Sequence, residues 1–395
     1  MRISKPTSFE LTAGAHTRPV RSPRVCMPTW RNLTRNVYRC GLYEAQDILC
    51  EIDDVDLICL DRDIDSWETL FKKAWLKTPF HDEASRVLKR TYLESKRVEL
   101  TKEYDLFIAV FNLFRDIPYV DAIEHWKDRC EVSACWIDEI WVADIPKVKR
   151  WLHLLNKFDY VFVGLKGSVS ALSQAINRPC YWLPGGIDAL RFSPFPNPPA
   201  RVVDVYSVGR RHAGIHRELL GAVERDQLFY IHDTVENLAY AETRDHRQHR
   251  NFFANIAKRS RYFVVAVAKM DDPDGTEGQI EVGYRYFEGA AAGAVMIGDI
   301  PDSDAYRELF DWSDAVFQAQ PDGSDIMRIL KDLGSDPERM AAIGRRSARE
   351  TLLRHDWAFR WNEMFKVMGI KPSPGMAARE GKLKKLAVLS PENSR

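Results

Sequence analysis

In the N-terminal half of the chain, short runs of apolar residues alternate with longer amphipathic stretches. The short runs are rich in β-branched and aromatic residues, which is typical of buried strands, and the stretches between them have helical spacing. This pattern predicts strands over Val55–Leu60, Tyr104–Phe111, Val132–Ile137, Tyr160–Gly164 and Cys180–Leu183. It predicts helices over Asn36–Glu51, Asp65–Trp75, Glu83–Lys96, Pro146–Lys157 and Ser168–Ile176.

The alternation restarts after a connector over residues 192–200, which holds four prolines in nine residues and cannot continue a helix or a central strand. Beyond it, the pattern predicts strands over Val203–Val208, Leu228–His232, Tyr262–Val267, Ala294–Ile297 and Ala315–Gln318. Helices are predicted over Ile215–Val223, Arg247–Lys258, Val282–Ala292, Asp325–Leu333, Pro337–Leu353 and Trp357–Met368. Two such runs predict an α/β fold with two doubly wound, Rossmann-like domains that face each other across a cleft.

Length and charge at the chain ends set the expected domain boundaries. At 395 residues, the chain is too long for one ordinary core. Residues 1–25 carry five Lys or Arg against one Glu, and residues 371–395 carry six against two, so we expect a disordered first tail and a basic, mobile last one. Between the tails we predict a first domain (26–190), a Pro-rich linker (191–202), a second domain (203–356) and a final helix (357–370).

The composition is that of a globular protein without net charge. Lys and Arg number 57, as do Asp and Glu, so no overall field attracts nucleic acid. No apolar run approaches the roughly 18–20 residues of a membrane span, and the first 25 residues lack the apolar core of a signal peptide. The seven cysteines form no Cys-x-x-Cys pair, and their odd number argues against a disulfide framework. We therefore expect a cytoplasmic protein with no nucleic-acid partner.

One predicted helix carries charge among small and aromatic residues. Glu281, Arg285 and Glu288 fall at i, i+4 and i+7, so they share one helical stripe. The strand that follows ends at Gly298-Asp299, and ligands sit at the carboxyl ends of strands in open parallel sheets. The stripe is either a solvated face with paired charges or a contact with a polyhydroxylated, phosphorylated ligand.

A basic loop follows the first strand of the second domain. Strand Val203–Val208 runs into Gly209-Arg210-Arg211-His212-Ala-Gly-Ile-His216-Arg217, which opens the next helix. Helix N-termini favour anions, and guanidinium groups bind phosphate oxygens. Because cations are unfavourable at a helix N-terminus, the cluster indicates a bound anion, with a basic surface loop as the alternative. The glycine spacing matches neither the dinucleotide fingerprint nor the Gly-Lys-Ser/Thr phosphate loop.

Fewer candidate groups occur in the first domain. Asp138 and Glu139 follow the predicted strand Val132–Ile137, either as a general base or as a helix cap with first-turn charge. The stretch Lys147–Trp151 is either an ordinary surface helix or a peripheral contact with a membrane. His246 and His249 are three residues apart among arginines, without a carboxylate or thiolate to complete a metal site. We interpret them as a solvated basic face.

Several segments together resemble the GT-B glycosyltransferases. Pro184-Gly-Gly-Ile-Asp188, followed by Arg191-Phe-Ser-Pro194, is similar to their P-N-G-V-D…F-P segment, and Val208-Gly-Arg210 to their V-G-R strand end. Residues 286–295, Tyr-Phe-Glu-Gly-Ala-Ala-Ala-Gly-Ala-Val, are similar to L-E-A-M-A-C-G-x-P-V. The helix from Trp357 resembles the one that crosses back to the first domain. The resemblance covers residues 158–368 in order, and is closest to family-4-like and spore-protein-like glycosyltransferases.

The resemblance implies a role for each domain. The C-terminal domain would bind a nucleotide-sugar donor, and the N-terminal domain would bind a glycan or lipid-linked acceptor. Glu288 would accept hydrogen bonds from ribose hydroxyls, and Arg285 would orient Glu288 or join a phosphate clamp. The implied diphosphate contacts are Gly209, Arg210, Arg211, Arg217 and the helix start at Gly283. Positive potential of this kind stabilises the leaving group without a metal or a cofactor.

The chain departs from that family at one position. Retaining members carry two glutamates eight positions apart, whereas Ile280 lies eight positions before Glu288. The nearer carboxylates are Glu281, seven positions before Glu288, and Glu277, eleven before, and we take Glu281 and Asp138 as the candidate catalytic residues. The sugar, the nucleotide base, the acceptor and the stereochemical outcome stay open at this point.

The leading hypothesis is a cytoplasmic, metal-independent hexosyltransferase of polysaccharide biosynthesis, with peripheral contact at the inner membrane face. Two alternatives share the architecture: a nucleotide-sugar epimerase, and a sugar- or nucleotide-binding protein without catalysis. A third interpretation uses Asp61-Arg-Asp63 at a strand end as the Asp-x-Asp metal clamp of a GT-A glycosyltransferase. GT-A would leave the second doubly wound half unexplained.

Overall fold

The computed structural model describes residues 22–62, 95–234 and 241–389. Residues 1–21 of the predicted tail, the predicted helix Asp65–Trp75 and most of Glu83–Lys96 lie outside the described residues.

Six parallel strands form the sheet of the N-terminal domain, in the order β2-β1-β4-β6-β7-β8. Successive side chains of a strand point to opposite faces of this sheet. In β6, Cys135 and Ile137 belong to the apolar cluster on one face, and Ala134 and Trp136 belong to the cluster on the other. A separate pair, β3 and β5, is also parallel. The strands are β1 (Val25–Thr29), β2 (Val55–Cys59), β3 (Val98–Glu99), β4 (Tyr104–Leu113), β5 (Ile123–Glu124), β6 (Cys130–Glu139), β7 (Tyr160–Val163) and β8 (Cys180–Trp182).

Helices connect these strands. The α-helices are α1 (Cys40–Ile52), α2 (Leu152–Leu155) and α3 (Val169–Ile176). The 3-10 helices are Val37–Arg39, Phe114–Ala122, Val142–Asp144, Pro146–Val148 and Lys166–Ser168. The predicted continuous helix over residues 146–157 is wrong, since only Pro146–Val148 and α2 are helical there.

Five parallel strands form the sheet of the C-terminal domain, in the order β10-β9-β11-β12-β13. They are β9 (Val203–Ser207), β10 (Tyr230–His232), β11 (Ser260–Val265), β12 (Val295–Gly298) and β13 (Phe317–Gln318). The helices are α4 (Ala189–Phe192), α5 (Ala213–Glu224), α6 (His246–Arg259), α7 (Pro273–Thr276), α8 (Tyr284–Ala291), α9 (Asp304–Leu309), α10 (Ile326–Gly334) and α11 (Pro337–Arg354). The predicted α/β class with two doubly wound domains is confirmed.

The last two helices, α12 (Trp357–Val367) and α13 (Pro374–Val388), join the domains. Trp357 and Trp361 of α12 pack in the N-terminal core, with ring centroids 5.8 and 6.2 Å from that of Trp136. Leu383 and Ala387 of α13 enter a core cluster of the C-terminal domain.

The expectation of a mobile basic tail is wrong for α13. Its Arg379 is 3% exposed and bonds Asp356 at 2.8 Å and Asp188 at 2.7 Å. The net charge of this segment gave no indication of the apolar residues on one side of α13, which pack against the core. At the other end, β1 begins at Val25, the last residue of the expected tail, and it contains Pro28.

Candidate functional site

The strand order of the C-terminal sheet creates a crevice at its carboxyl edge. The chain leaves β9 toward β10 on one side and comes back to β11 on the other, so the loops after β9 and β11 diverge. Gly209 (φ 82°) begins the first of these loops. The Arg210 guanidinium lies 2.6 Å from the Asp271 carboxylate in the second, and both side chains are more than half exposed. Such a switch point is where ligands bind in open α/β sheets.

Carboxylates at other strand ends neutralise the basic loop. The Gly209 amide donates to Asp233 Oδ2 at 2.6 Å, and Arg211 pairs with Asp233 Oδ1 at 2.6 Å. His212 Nε2 lies 2.8 Å from Asp299 Oδ1. The charge of this cluster therefore does not by itself require a bound anion, because β10 and β12 end at the same edge as β9 and supply aspartates to it.

Arg217 lies farther out on α5. Its side chain is 69% exposed and donates to the Asp322 carbonyl at 3.4 Å. Gly214, in the first turn of α5, lies so close to Asp322 that a Cβ there would be 2.3 Å from the Asp322 carbonyl carbon. Arg217 therefore faces the loop after β13, at the same edge of the sheet.

Glu288 lies on the inner face of α8, which begins after the N-cap residue Gly283. Its carboxylate is 2% exposed and is bonded by the guanidinium groups of Arg250 and Arg285. Arg285 Nε donates to the Val208 carbonyl at 3.0 Å, and Arg211 Nη1 donates to the Ser207 carbonyl at 3.4 Å. The predicted donor residues of the loop and of α8 therefore meet at the carboxyl end of β9.

The charge network continues from Glu288 into the N-terminal domain. Arg250 of α6 is buried and bonds Glu44 of α1 at 2.9 Å. Glu44 also accepts hydrogen bonds from the Asp188 amide at 2.9 Å and from Trp357 Nε1 at 3.1 Å. Although burial lowers it, the pKa of Arg250 is raised by the two carboxylates. These buried, alternating charges link the two domains and fix how they pack against each other.

Asp138 is the last residue but one of β6, on the N-terminal side of the cleft. It accepts a hydrogen bond from the Tyr284 hydroxyl of α8 at 2.6 Å and from Asn112 Nδ2 at 3.2 Å. Burial raises the pKa of Asp138 to about 7. A carboxyl group that titrates near neutral pH is suited to general base chemistry. Its neighbour Glu139 closes β6, so the alternative of a helix cap does not apply to this pair.

Glu281 precedes the N-cap residue Gly283, so the predicted helical stripe that it shares with Arg285 and Glu288 is wrong; it is instead an interdomain hydrogen-bond acceptor. Its Oε1 receives the Gly167 amide of the N-terminal domain at 2.8 Å and Gln279 Nε2 at 2.7 Å. Gln279 in turn accepts the Val142 amide at 3.1 Å. Glu281 is 3% exposed, and burial raises its pKa. These contacts give it a positioning role; its predicted catalytic role stays a prediction.

Lys269 also crosses between the domains. Its ammonium group lies 3.4 Å from Glu139, 3.9 Å from Asp144 and 4.9 Å from the Trp141 ring centroid. Together with Gln279 and Glu281, it brings the β11–α8 loop against the carboxyl edge of the N-terminal sheet. The two edges that carry the predicted donor and acceptor groups therefore face each other.

The interpretation of His246 and its neighbours as a solvated basic face is wrong. His246 Nε2 lies 2.8 Å from Asp47 of α1, and Arg247 bonds the same carboxylate at 2.8 Å. Two residues of α6 thus bind a carboxylate of the other domain. The amphipathic pattern of α6 did not reveal this partner because Asp47 lies about 200 positions away in the sequence.

The stretch Lys147–Trp151 lies on the N-terminal domain. Lys147 bonds Asp144 at 3.2 Å, and the Arg150 guanidinium lies 4.4 Å from the centroid of the Trp151 ring. Within the part of the chain that the structure describes, no helix has both the length and the apolar character needed to cross a membrane.

The candidate metal clamp is only partly within the described residues, because Asp63 lies outside them. Asp61 accepts a hydrogen bond from Asn32 Nδ2 at 2.7 Å. Over residues 22–62, 95–234 and 241–389, no group of three or more His, Cys, Asp or Glu side chains is arranged to hold a metal ion.

Sequence reasoning did not assign a role to six residues that the structure places at the cleft: Asp233, Asp271, Asp299, Arg250, Lys269 and Tyr284. The three aspartates lie shortly after predicted strands, so their positions carried a signal, and Asp299 was noted as a strand end. The other three are important because of contacts between domains, and no local pattern indicates those contacts.

Two comparisons place this geometry among known proteins. Residues 205–366 match the protein family described as "Glycosyl transferase-like". Among solved structures, an alpha-glucosyltransferase in complex with UDP and a 13-mer DNA containing a HMU base is similar over 88% of this chain and 100% of that chain, with 11% identity and a TM-score of 0.50. A glycosyltransferase from Rickettsia africae ESF-5 covers 88% of this chain and 97% of its own, with 9% identity and a TM-score of 0.47. No curated protein matches the sequence.

The two doubly wound domains have the GT-B fold, so the resemblance drawn from the sequence motifs is confirmed. The family match spans β9 to α12, so this similarity in sequence lies in the C-terminal domain.

Proposed function

We propose that the protein is a glycosyltransferase that transfers a hexosyl group from a nucleotide-diphosphate sugar to a hydroxyl of a glycan or lipid-linked acceptor. The observation that carries the proposal is the opposition of two edges. The loop Gly209–His212 lies at the switch point of the C-terminal sheet, and Asp138 lies at the carboxyl edge of the other sheet, bonded to Tyr284 of α8.

The diphosphate would bind beside Arg210 and Arg211. The Arg210–Asp271 pair is exposed, so exchanging Asp271 for a phosphate costs little, on the order of 1 kcal/mol or less. Arg211 is 15% exposed and stays anchored by Asp233, so it would present its remaining N–H groups at a fixed position. With the N-terminus of α8 near Gly283, these groups would stabilise the leaving nucleoside diphosphate without a metal.

Glu288 would bind the ribose if Arg285 turns away from it. Of the two guanidinium groups on this carboxylate, that of Arg285 is 31% exposed and that of Arg250 only 4%. Arg285 is therefore the partner that can move, while Arg250 keeps the Glu288 charge compensated. Ribose hydroxyls would then take the place of the Arg285 N–H groups.

Asp138 would accept the proton of the acceptor hydroxyl. Its pKa of about 7 fits that task, and its position next to the last residue of β6, at the edge that meets α8, supports the assignment. The acceptor would lie along the N-terminal edge, with Lys147, Lys149, Arg150 and Trp151 as a surface for peripheral membrane contact in the cytoplasm.

Nucleotide binding tests the donor site. UDP, GDP, dTDP and CMP sugars are titrated calorimetrically, and the tightest binder is then measured with Arg211→Met and Glu288→Gln. Each change should weaken binding at least tenfold and reduce transfer further. Arg328→Met is the matched control, because Arg328 is an exposed arginine on α10 that pairs with Asp332 at 3.2 Å. Unchanged affinity in both site variants would remove these residues from the donor site.

Two further measurements separate the proposal from its alternatives. A transferase should turn the donor over only when an acceptor hydroxyl is present, whereas an epimerase forms product from the donor alone. Activity should also persist in EDTA. Loss in EDTA with rescue by Mn²⁺ would contradict the metal-independent chemistry proposed here.

A further inference from the structure

A separate cavity lies at the opposite edge of the C-terminal sheet. Its volume is about 520 Å³, within the range that holds a small molecule. It is bounded by the first residues of β11 and β12, by α11 and by the proline-rich linker, with Tyr262, Val295, Met340 and Phe195 among its walls. Because all five strands are parallel, the proposed donor site lies at their other end.

Three arginines line this otherwise largely apolar cavity: Arg201, Arg261 and Arg345. Prolines 194, 198 and 337, together with Phe195 and Met340, supply a hydrophobic wall. Arg261 pairs with Asp204 at 3.1 Å near the surface. Apolar walls with a few convergent cations are the composition of a site for an anion that carries a hydrophobic body.

The environment of Arg201 carries the argument for an anion site in this cavity. Its guanidinium is held by three backbone carbonyls, those of Ser260, Ala292 at 3.0 Å and Gly293 at 2.6 Å. Among the residues that the structure describes, no carboxylate pairs with it, and burial lowers its pKa to about 10. The carbonyls fix the side chain but do not cancel its charge, and they use three of its five N–H donors.

We propose that this cavity is a binding site for a small amphiphilic anion, an aromatic or acyl body that carries a carboxylate, sulfonate or phosphate. The anionic group would lie against Arg201, with Arg261 and Arg345 at the rim, and the hydrophobic body against Phe195 and Met340. The site is distinct from the donor site, and the proposal does not depend on the transferase activity.

Two probes of equal shape test the role of charge. Naphthalene-2-sulfonate and the neutral naphthalene-2-sulfonamide are titrated into the full chain, followed by ligand-observed NMR and calorimetry. The sulfonate should bind with one-to-one stoichiometry and at least tenfold more tightly than the sulfonamide. Equal affinities would overturn the proposal, because hydrophobic burial alone would then explain binding.

Two neighbouring alanines locate the probe. Ala341 and Ala342 are both exposed on α11, and only Ala341 lines the cavity. Ala341→Trp should fill the cavity and reduce sulfonate binding more than tenfold, while Ala342→Trp should leave it unchanged. Arg201→Met should weaken binding similarly; should that variant fail to fold, the alanine pair still decides. Binding that survives Ala341→Trp, or displacement of the probe by the nucleotide sugar, would refute this site.

Discussion

The hydroxyl of Tyr284 donates a hydrogen bond to Oδ1 of Asp138 at 2.6 Å, and this bond joins the first residue of α8 to the last residue but one of β6. The donor belongs to the C-terminal domain and the acceptor to the N-terminal domain. Asp138 therefore has its observed environment only when the two domains are together. The pKa and the position of the proposed base therefore depend on contact between the two domains.

We expect Tyr284→Phe to shift the pH dependence of transfer. Burial raises the pKa of Asp138 to about 7, and the Tyr284 hydrogen bond opposes that rise because it favours the carboxylate. Without the hydroxyl the pKa should rise further, so the acidic limb of the kcat profile should move to higher pH. Tyr262→Phe is the control, since that hydroxyl donates to the Leu330 carbonyl at 3.0 Å, far from the cleft. An unshifted limb would show that Asp138 is not the titrating base.

We expect Asp138→Asn to change how stability depends on pH. The Asp138 pKa is raised from 3.8 to about 7 on folding, so between these values the folded protein keeps a proton that the unfolded chain has lost. The free energy of unfolding of the native protein should therefore fall as pH rises from about 4 to about 7. Above about pH 7, Asp138 should cause no further change in it. From pH 5 to pH 8, urea unfolding should show the variant gaining on the order of 2–3 kcal/mol relative to the native protein. Asp128→Asn, at an 81% exposed side chain, should show no such gain.

Arg250 and Arg247 provide a matched pair on α6. Both bind α1 carboxylates of the other domain, but Arg250 is 4% exposed and Arg247 is 62% exposed. Arg250→Ala removes the buried cation between Glu44 and Glu288, which leaves Glu288 with Arg285 alone and Glu44 with Arg191 at 3.7 Å, and it should cost about 3–5 kcal/mol in urea unfolding. Arg247→Ala should cost about 1 kcal/mol or less. Equal losses would mean that burial does not decide the strength of this interface.

Arg379 and Lys384 provide the same contrast on α13. Arg379 is 3% exposed between Asp188 and Asp356, whereas Lys384 is 64% exposed and lies 3.6 Å from Glu380. Arg379→Met should destabilise the protein by about 3–5 kcal/mol, and Lys384→Met by less than about 0.5 kcal/mol. A negligible effect of Arg379→Met would restore the expectation that this segment is a tail of no structural consequence.

Much of the fold could be predicted from the chain because its signals are local. The apolar run at Val203–Val208 needs no partner to indicate a strand, and Gly209 indicates the turn that ends it. The proline-rich linker and the helix start at Trp357 are equally local features. The predicted strand and helix positions in the C-terminal half accordingly match β9–β13, α5, α6, α8 and α10–α12 within a few residues, whereas the short helices α7 and α9 were not predicted.

The candidate site was predicted less completely. Gly209, Arg210, Arg211, Arg285 and Glu288 were found from motif and stripe, and the structure brings them to the end of β9. Their partners were not found, because Asp233, Asp271 and Arg250 approach only once the strands are ordered in the sheet. Charges judged to need a ligand, such as Arg211, turned out to have protein carboxylates beside them.

The sequence by itself determined the two doubly wound domains, the linker between them and the residue types at the crevice, because hydrophobic period and turn chemistry act over a few residues. Only the tertiary structure decided which charges are paired. It also decided that α13 packs against the core and that Tyr284 contacts Asp138 across the cleft. The physical reason is that an ion pair or a buried hydrogen bond depends on distance and desolvation between groups far apart in the chain.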